Sequence, residues 1–106
     1  MILKEKKQKK LAKIACQIKN CQECQKDKSG QAVPGEGNPG AKIVFVGEAP
    51  GTTEAKTGRP FVGSSGKYLT SLLASIGISR EEVYLTSPVK YFPGRRTPTS
   101  KEIAHG

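Results

Sequence analysis

Residues 41–51 read AKIVFVGEAPG, in which Ile43, Val44, Phe45 and Val46 form an unbroken run of β-branched and aromatic residues, ended by Gly47 and Pro50. A run that is apolar at every position, rather than at alternate ones, predicts a strand covered on both faces, as in parallel sheets flanked by helices. Downstream, Leu69, Leu72, Leu73 and Ile76 keep helical spacing, Ser64 or Ser65 stands where an N-cap belongs, and Gly77 stands where a C-terminal stop belongs. A second strand follows over residues 83–86. Strand, crossover helix and strand make a βαβ unit, right-handed almost without exception. The expected class is therefore α/β, although two strands are too few for an independent sheet.

Toward the N-terminus, Leu11, Ile14, Ala15 and Ile18 mark one buried stripe on a lysine-rich helix ending near Asn20. Cys16 lies on that helix among alanine and isoleucine, where a buried free thiol is the common role. Residues 21–40 turn polar, and Pro34, Gly35, Gly37, Pro39 and Gly40 predict a long irregular loop. The chain thus divides into a basic amphipathic helix over 1–20 and an α/β unit over 21–106, with no internal repeat. No apolar run approaches the roughly 20 residues of a membrane span, and no apolar segment follows the N-terminal lysines as in a signal peptide. A cytoplasmic location without disulfides is expected.

Lysine and arginine number 18 against 9 acids in 106 residues, a formal charge of +9. Lys4, Lys6, Lys7, Lys9, Lys10 and Lys13 crowd the first helix, and Lys90, Arg95, Arg96 and Lys101 gather near Tyr91 and Phe92. Basic groups contact phosphates and aromatics stack on bases, so one reading is a nucleic-acid partner. The other is a solvated surface that keeps the protein soluble.

A loop leaving the carboxyl end of a parallel strand is where open α/β sheets place ligand sites. Glu48 follows Val46 by two residues and Glu54 lies further along the same loop. Glu48 is either a carboxylate held on the rim of a crevice or a solvated cap. Phe61, between Pro60 and Val62, reads by itself as core. The residues Ser64, Ser65 and Gly66 cap the helix, offer amides to a phosphate, or do both. A nucleotide-phosphate cradle built on GEGNPG (35–40) lacks the spacing and the lysine-serine/threonine pair of a P-loop.

In order along the chain, PGEGNPGAKIVFVG (34–47), GEAPG (47–51), GRPFVGSSGKYL (58–69), GISREEVYLTSPVK (77–90) and RRTPTSKEI (95–103) resemble the N-terminal half of a family 4 uracil-DNA glycosylase. The resemblance runs from about Cys21 to Ile103. It implies a three-layer α/β/α fold with a parallel central sheet, of which this chain covers about half. It implies hydrolysis of the N-glycosidic bond of uracil flipped out of DNA. In that reading Gly47, Glu48 and Ala49 contact the base and its attacking water, Phe61 stacks on the ring, and Glu54 supports the same loop. Ser87 falls where the family commonly carries an asparagine that reads the polar edge of uracil, so it is a pocket residue or only a strand end before Pro88. From the charge clusters and the helix start, Ser65, Lys90, Arg95 and Arg96 are the expected contacts to DNA phosphates.

The family's iron–sulfur (4Fe–4S) cluster uses four cysteines, of which Cys21 and Cys24 match the first pair. The third position falls on Tyr91 and the fourth at or just beyond Gly106, so the set is incomplete and no intact cluster is expected. Cys16, Cys21, Cys24 and His105 reach the four ligands of a metal site only if the two ends of the chain meet. Family members continue into further strands and a His-Pro-Ser type motif, in which His105 has no place. The expected partner is uracil-containing DNA, with the chain a monomer or dependent on a C-terminal half. The alternative is a non-catalytic nucleic-acid-binding relic.

Overall fold

In the computed structural model, which describes residues 3–94 and 97–106, the chain runs α1 (Leu3–Lys19), α2 (Gln22–Gln25), β1 (Glu36–Gly37), β2 (Val44–Val46), α3 (Thr52–Thr57), α4 (Ser64–Ser75), a 3₁₀ turn (Arg80–Glu82), β3 (Tyr84–Thr86) and α5 (Ser100–His105). The sheet order is β1-β3-β2. Strands β2 and β3 pair in parallel, Phe45 opposite Leu85, and the crossover between them carries α3 and α4.

Strand β1 pairs with β3 antiparallel, so the sheet is mixed rather than parallel throughout. This corrects the loop expected over residues 21–40. Gly35 and Gly37 both have positive φ, and a Cβ at Gly37 would lie 2.0 Å from the Val83 carbonyl oxygen. Only glycine brings the backbone that close to β3. The first two glycines of GEGNPG, Gly35 and Gly37, therefore serve the approach of β1 to β3. Further back, the amides of Ser29 and Val33 donate to the carbonyls of Phe92 and Lys90, laying the rest of the segment along the chain after β3.

Phe45 and Leu85 share a register and a sheet face, and Leu69 and Leu73 of α4 pack over them with Val83, Phe61 and Ile78. The opposite face of β2 differs from expectation. Val44 and Val46 are 53% and 64% exposed, so the all-apolar run is covered on one side only among the described residues. Strand β2 is also a sheet edge. The α4 N-cap is Gly63, not Ser64 or Ser65, and Gly77 takes φ 78° just past the helix end.

Of the stripe expected on α1, Ile18 is buried while Ile14 is 47% exposed, and Cys16 is exposed rather than packed. Tyr91 fixes the end of this helix by directing its hydroxyl at the carbonyls of Ile18 and Lys19, 3.1 and 3.4 Å away. Those carbonyls have no intrahelical donor. No helix among the described residues is long and apolar enough to cross a membrane.

Candidate functional site

Pairing of the parallel strands extends one residue past β2, where the Gly47 amide donates to the Thr86 carbonyl at 2.9 Å. Beyond that point the chain opens into a cavity of about 410 Å³ at the carboxyl ends of β2 and β3. Gly47, Glu48, Ala49, Phe61, Ser65 and Ser87 line it, with Glu54. Residues up to 40 positions apart in sequence are thus brought to one concavity by the βαβ crossover.

The two acids of the loop have opposite surroundings. Glu54 Oε1 accepts from the Gly51 amide at 2.9 Å, and Oε2 accepts from the amides of Val62 and Gly63 at 3.0 and 2.7 Å. Its carboxylate straps the start of α3 to the start of α4. Burial pushes this carboxyl up, but the amides of Gly63, Glu54 itself, Val62 and Gly51 together outweigh it, so its pKa lies below the usual range. Glu48 is exposed on the rim.

A second carboxylate braces the site from behind. Glu36 accepts from Arg59 Nε and Nη2, both at 2.7 Å, and from Arg80 Nε at 3.4 Å. The Arg59 guanidinium holds its pKa below the usual value against the opposing effect of burial. For both acids the folded pKa is depressed. Each therefore stabilises the fold fully above the ordinary carboxylate value of about 4.3 and loses that contribution as pH falls through the folded value. The urea midpoint is expected to fall between about pH 5 and pH 3, and to fall less steeply in Glu54→Gln and Glu36→Gln. Parallel pH profiles for the three proteins would overturn this.

Phe61 takes a left-handed backbone, φ 53°, rare for an aromatic residue. Two partners hold it there. Arg80 donates to the carbonyls of Phe61, at 2.6 Å, and Pro60. Gly66 lies so close that a Cβ on it would sit 1.9 Å from the Phe61 carbonyl oxygen. The ring tip reaches Gly47, where a Cβ would lie 3.0 Å from Cζ. Arg80 escaped sequence reading, and Gly66, read there as part of the helix cap, is instead a point of close backbone approach, which a glycine inside a helical pattern can signal.

Ser87 is 6% exposed, and its hydroxyl donates to the Val89 carbonyl at 2.8 Å. Only its lone pairs remain for a ligand, as acceptors. Ser65 is exposed in the first turn of α4, where amides have no intrahelical acceptor. Lys90 departs from the expected phosphate contact. Its ammonium donates inward to Thr86 Oγ1 at 2.9 Å and the Pro34 carbonyl at 3.3 Å, and burial lowers its pKa. Arg95 and Arg96 lie outside the described residues.

The distant ends of the chain do meet. Cys21 Sγ and His105 Nε2 are 3.5 Å apart, and the ligand atoms of Cys21, Cys24 and His105 all lie within 4.8 Å of one another. Cys16 is not in the group. The Cys24 side chain, with His105 and the Cys24 amide, brings the Cys21 thiol down to about 7, while burial pushes Cys24 up to about 11. Beside them opens a larger cavity of about 650 Å³, lined mainly by charged and polar side chains such as Lys28 and Glu102. The acid, aromatic and hydroxyl groups converge on the smaller cavity instead. A 4Fe–4S cluster does not fit the Cys–His group: the described residues bring two thiols and one imidazole, and the Tyr91 hydroxyl is turned to the end of α1.

A small α/β domain with a strapped, glycine-rich pocket at the carboxyl ends of its parallel strands is the class that fold and site define. Residues 34–106 match the Uracil DNA glycosylase superfamily, and the chain belongs to that superfamily. It is 50% identical over 92 residues to a type-4 uracil-DNA glycosylase of Archaeoglobus fulgidus, covering 85% of this chain and 46% of that protein. It is 48% identical over 93 residues to the type-4 uracil-DNA glycosylase of Thermotoga maritima, covering 86% and 48%. A type-5 uracil-DNA glycosylase of Thermus thermophilus is 39% identical over 85 residues. The chain spans less than half the length of these type-4 relatives.

Proposed function

We propose that the chain carries the base-pocket half of a glycosylase site for uracil in DNA. The observation that carries this reading is the convergence of Gly47, Glu48, Ala49, Phe61 and Ser87 on one cavity. A base entering it from DNA stacks on Phe61 and meets the Ser87 lone pairs along its polar edge. Departure of uracil leaves positive charge on the sugar and negative charge on the base. The rim carboxylate of Glu48 orients the attacking water and stabilises the sugar cation, and main-chain donors near Ala49 favour the base. Glu54 acts as a positioning residue: its three amide bonds fix where Glu48 and Phe61 stand. The first-turn amides at Ser65 face a DNA phosphate.

Further strands on the open edge of β2, with a helical layer over the face of Val44 and Val46, complete a three-layer α/β/α fold and supply the groups that stabilise the leaving base. They come from a longer chain or from a second polypeptide. An abasic-site cleavage assay on a uracil-containing oligonucleotide tests the reading, using this chain alone and a chain extended to the length of its relatives. Cleavage by the extended protein is expected. Binding without any cleavage by it would leave the non-catalytic reading in place.

The exposed lysines of α1 supply the DNA contact in this proposal. The logarithm of the binding constant should fall with the logarithm of salt by about 0.9 for each phosphate contact. Removing Lys6 and Lys10 is expected to reduce that slope, and Lys90→Met to leave it unchanged. Fluorescence anisotropy with labelled DNA across a salt series reads both, and a flat dependence in the unmodified chain would overturn the contact.

A further inference from the structure

We propose that Cys21, Cys24 and His105 hold one thiophilic divalent cation of the zinc class, in the place where the family resemblance implies an iron–sulfur cluster. The proposal does not depend on the glycosylase reading. Geometry carries it. A tetrahedral ion with metal–sulfur distances near 2.3 Å and metal–nitrogen distances near 2.0 Å sets its ligand atoms roughly 3.5–3.8 Å apart. Cys21 Sγ and His105 Nε2 stand 3.5 Å apart, and all three ligand atoms fall within 4.8 Å of one another.

The surroundings brace this arrangement. Cys21 caps α2, and the Cys24 amide donates to its sulfur at 3.1 Å, a bond that orients the ligand and supports a thiolate. His105 comes from α5, 84 residues further along. That helix is pinned to the α2 end by an ion pair between Glu102 and Lys28 at 3.0 Å, with the Lys28 side chain only 4% exposed. Tyr91 cannot turn to the ion without abandoning the α1 carbonyls, so the fourth position opens instead to the adjoining cavity, where Cys24 and His105 lie on the wall. As the two metal–sulfur bonds form, both S–H protons pass to solvent, and two thiolates neutralise one dication. A cluster of four irons offers no such balance with two thiolates and an imidazole. The ion ties the start of the α/β unit to its last helix.

The test is a cobalt(II) titration of the reduced, metal-stripped chain. One cobalt per chain is expected, with the visible bands of a tetrahedral site and a sulfur-to-metal charge-transfer band, both lost on adding one equivalent of zinc. Cys24→Ser should remove most of the charge-transfer intensity. Loss of outer-shell partners alone weakens metal sites by roughly 10- to 100-fold, so His105→Ala should lower cobalt affinity by at least about tenfold. His105 is exposed, so that variant keeps its fold, checked by circular dichroism. Cys16→Ser should titrate like the unmodified chain. Absence of the bands, an unchanged affinity in His105→Ala, or loss of the bands in Cys16→Ser would each overturn the proposal. So would iron with stoichiometric sulfide in anaerobically purified protein.

Discussion

Glu48→Gln, in a chain extended to the length of its relatives, is expected to slow uracil release by about 100-fold or more while leaving DNA binding intact, the effect of removing one preorganised electrostatic group. The choice of Glu48 over Glu54 follows from their partners. Both Glu54 oxygens are taken by main-chain amides, whereas the Glu48 carboxylate stands exposed on the cavity rim. Phe61→Ala should act on a different step, because base–aromatic stacking contributes about 1–3 kcal/mol to holding a flipped base. Single-turnover rates at saturating enzyme separate the two. A binding defect vanishes under those conditions and a chemical defect persists. If Glu48→Gln released uracil at the unmodified rate, Glu48 would be a solvated loop acid, and the chemistry would have to be sought elsewhere in the pocket.

What the sequence made legible was whatever depends on local pattern. The run at 43–46, the 3–4 spacing of Leu69 to Ile76 and the strand before Ser87 each reflect periodicity, and parallel pairing of β2 with β3 follows from their order. Strand β1 was hidden because two glycines look like a turn until the partner they approach is known. The exposure of Val44 and Val46 was hidden for a different reason. An all-apolar strand states that both faces are suited to burial, but not that the covering layer lies within the same 106 residues. In the site, Glu48 and Phe61 were legible by position in a motif. Of their supports, Glu54 was legible as an acid serving the same loop, but Arg80 and the close approach of Gly66 were not, since both act on backbone atoms that carry no residue identity. The joining of Cys21 to His105 depends on α5 folding back, a long-range event that the sequence offered only as the condition for a four-ligand metal site.

Gly66→Ala is expected to lower the stability of this chain, against the ordinary rule for that substitution in a helix. In a helix interior alanine is favoured over glycine by roughly 0.5–1 kcal/mol. Here the new Cβ would lie 1.9 Å from the Phe61 carbonyl oxygen and 2.0 Å from its carbon, both backbone atoms. They cannot yield cheaply, because Arg80 holds that carbonyl and Phe61 already sits at φ 53°. Overpacking of this kind costs about 1–3 kcal/mol or more, which exceeds the helical gain. A net loss of about 2 kcal/mol is large for a domain whose whole stability is roughly 5–15 kcal/mol, and each kcal/mol lowers Tm by about 4–8 °C at this size. Gly77→Ala supplies the comparison: its φ is 78° and no atom lies within 4 Å, so only backbone strain of about 1–2 kcal/mol opposes it. Thermal and urea unfolding of the two variants should rank Gly66→Ala below Gly77→Ala, and the former should also displace the Phe61 ring from Gly47, weakening base capture in protein that remains folded. Were Gly66→Ala as stable as the unmodified chain, the left-handed Phe61 would be free to relax, and the pocket would lack the rigid aromatic wall that a flipped base needs.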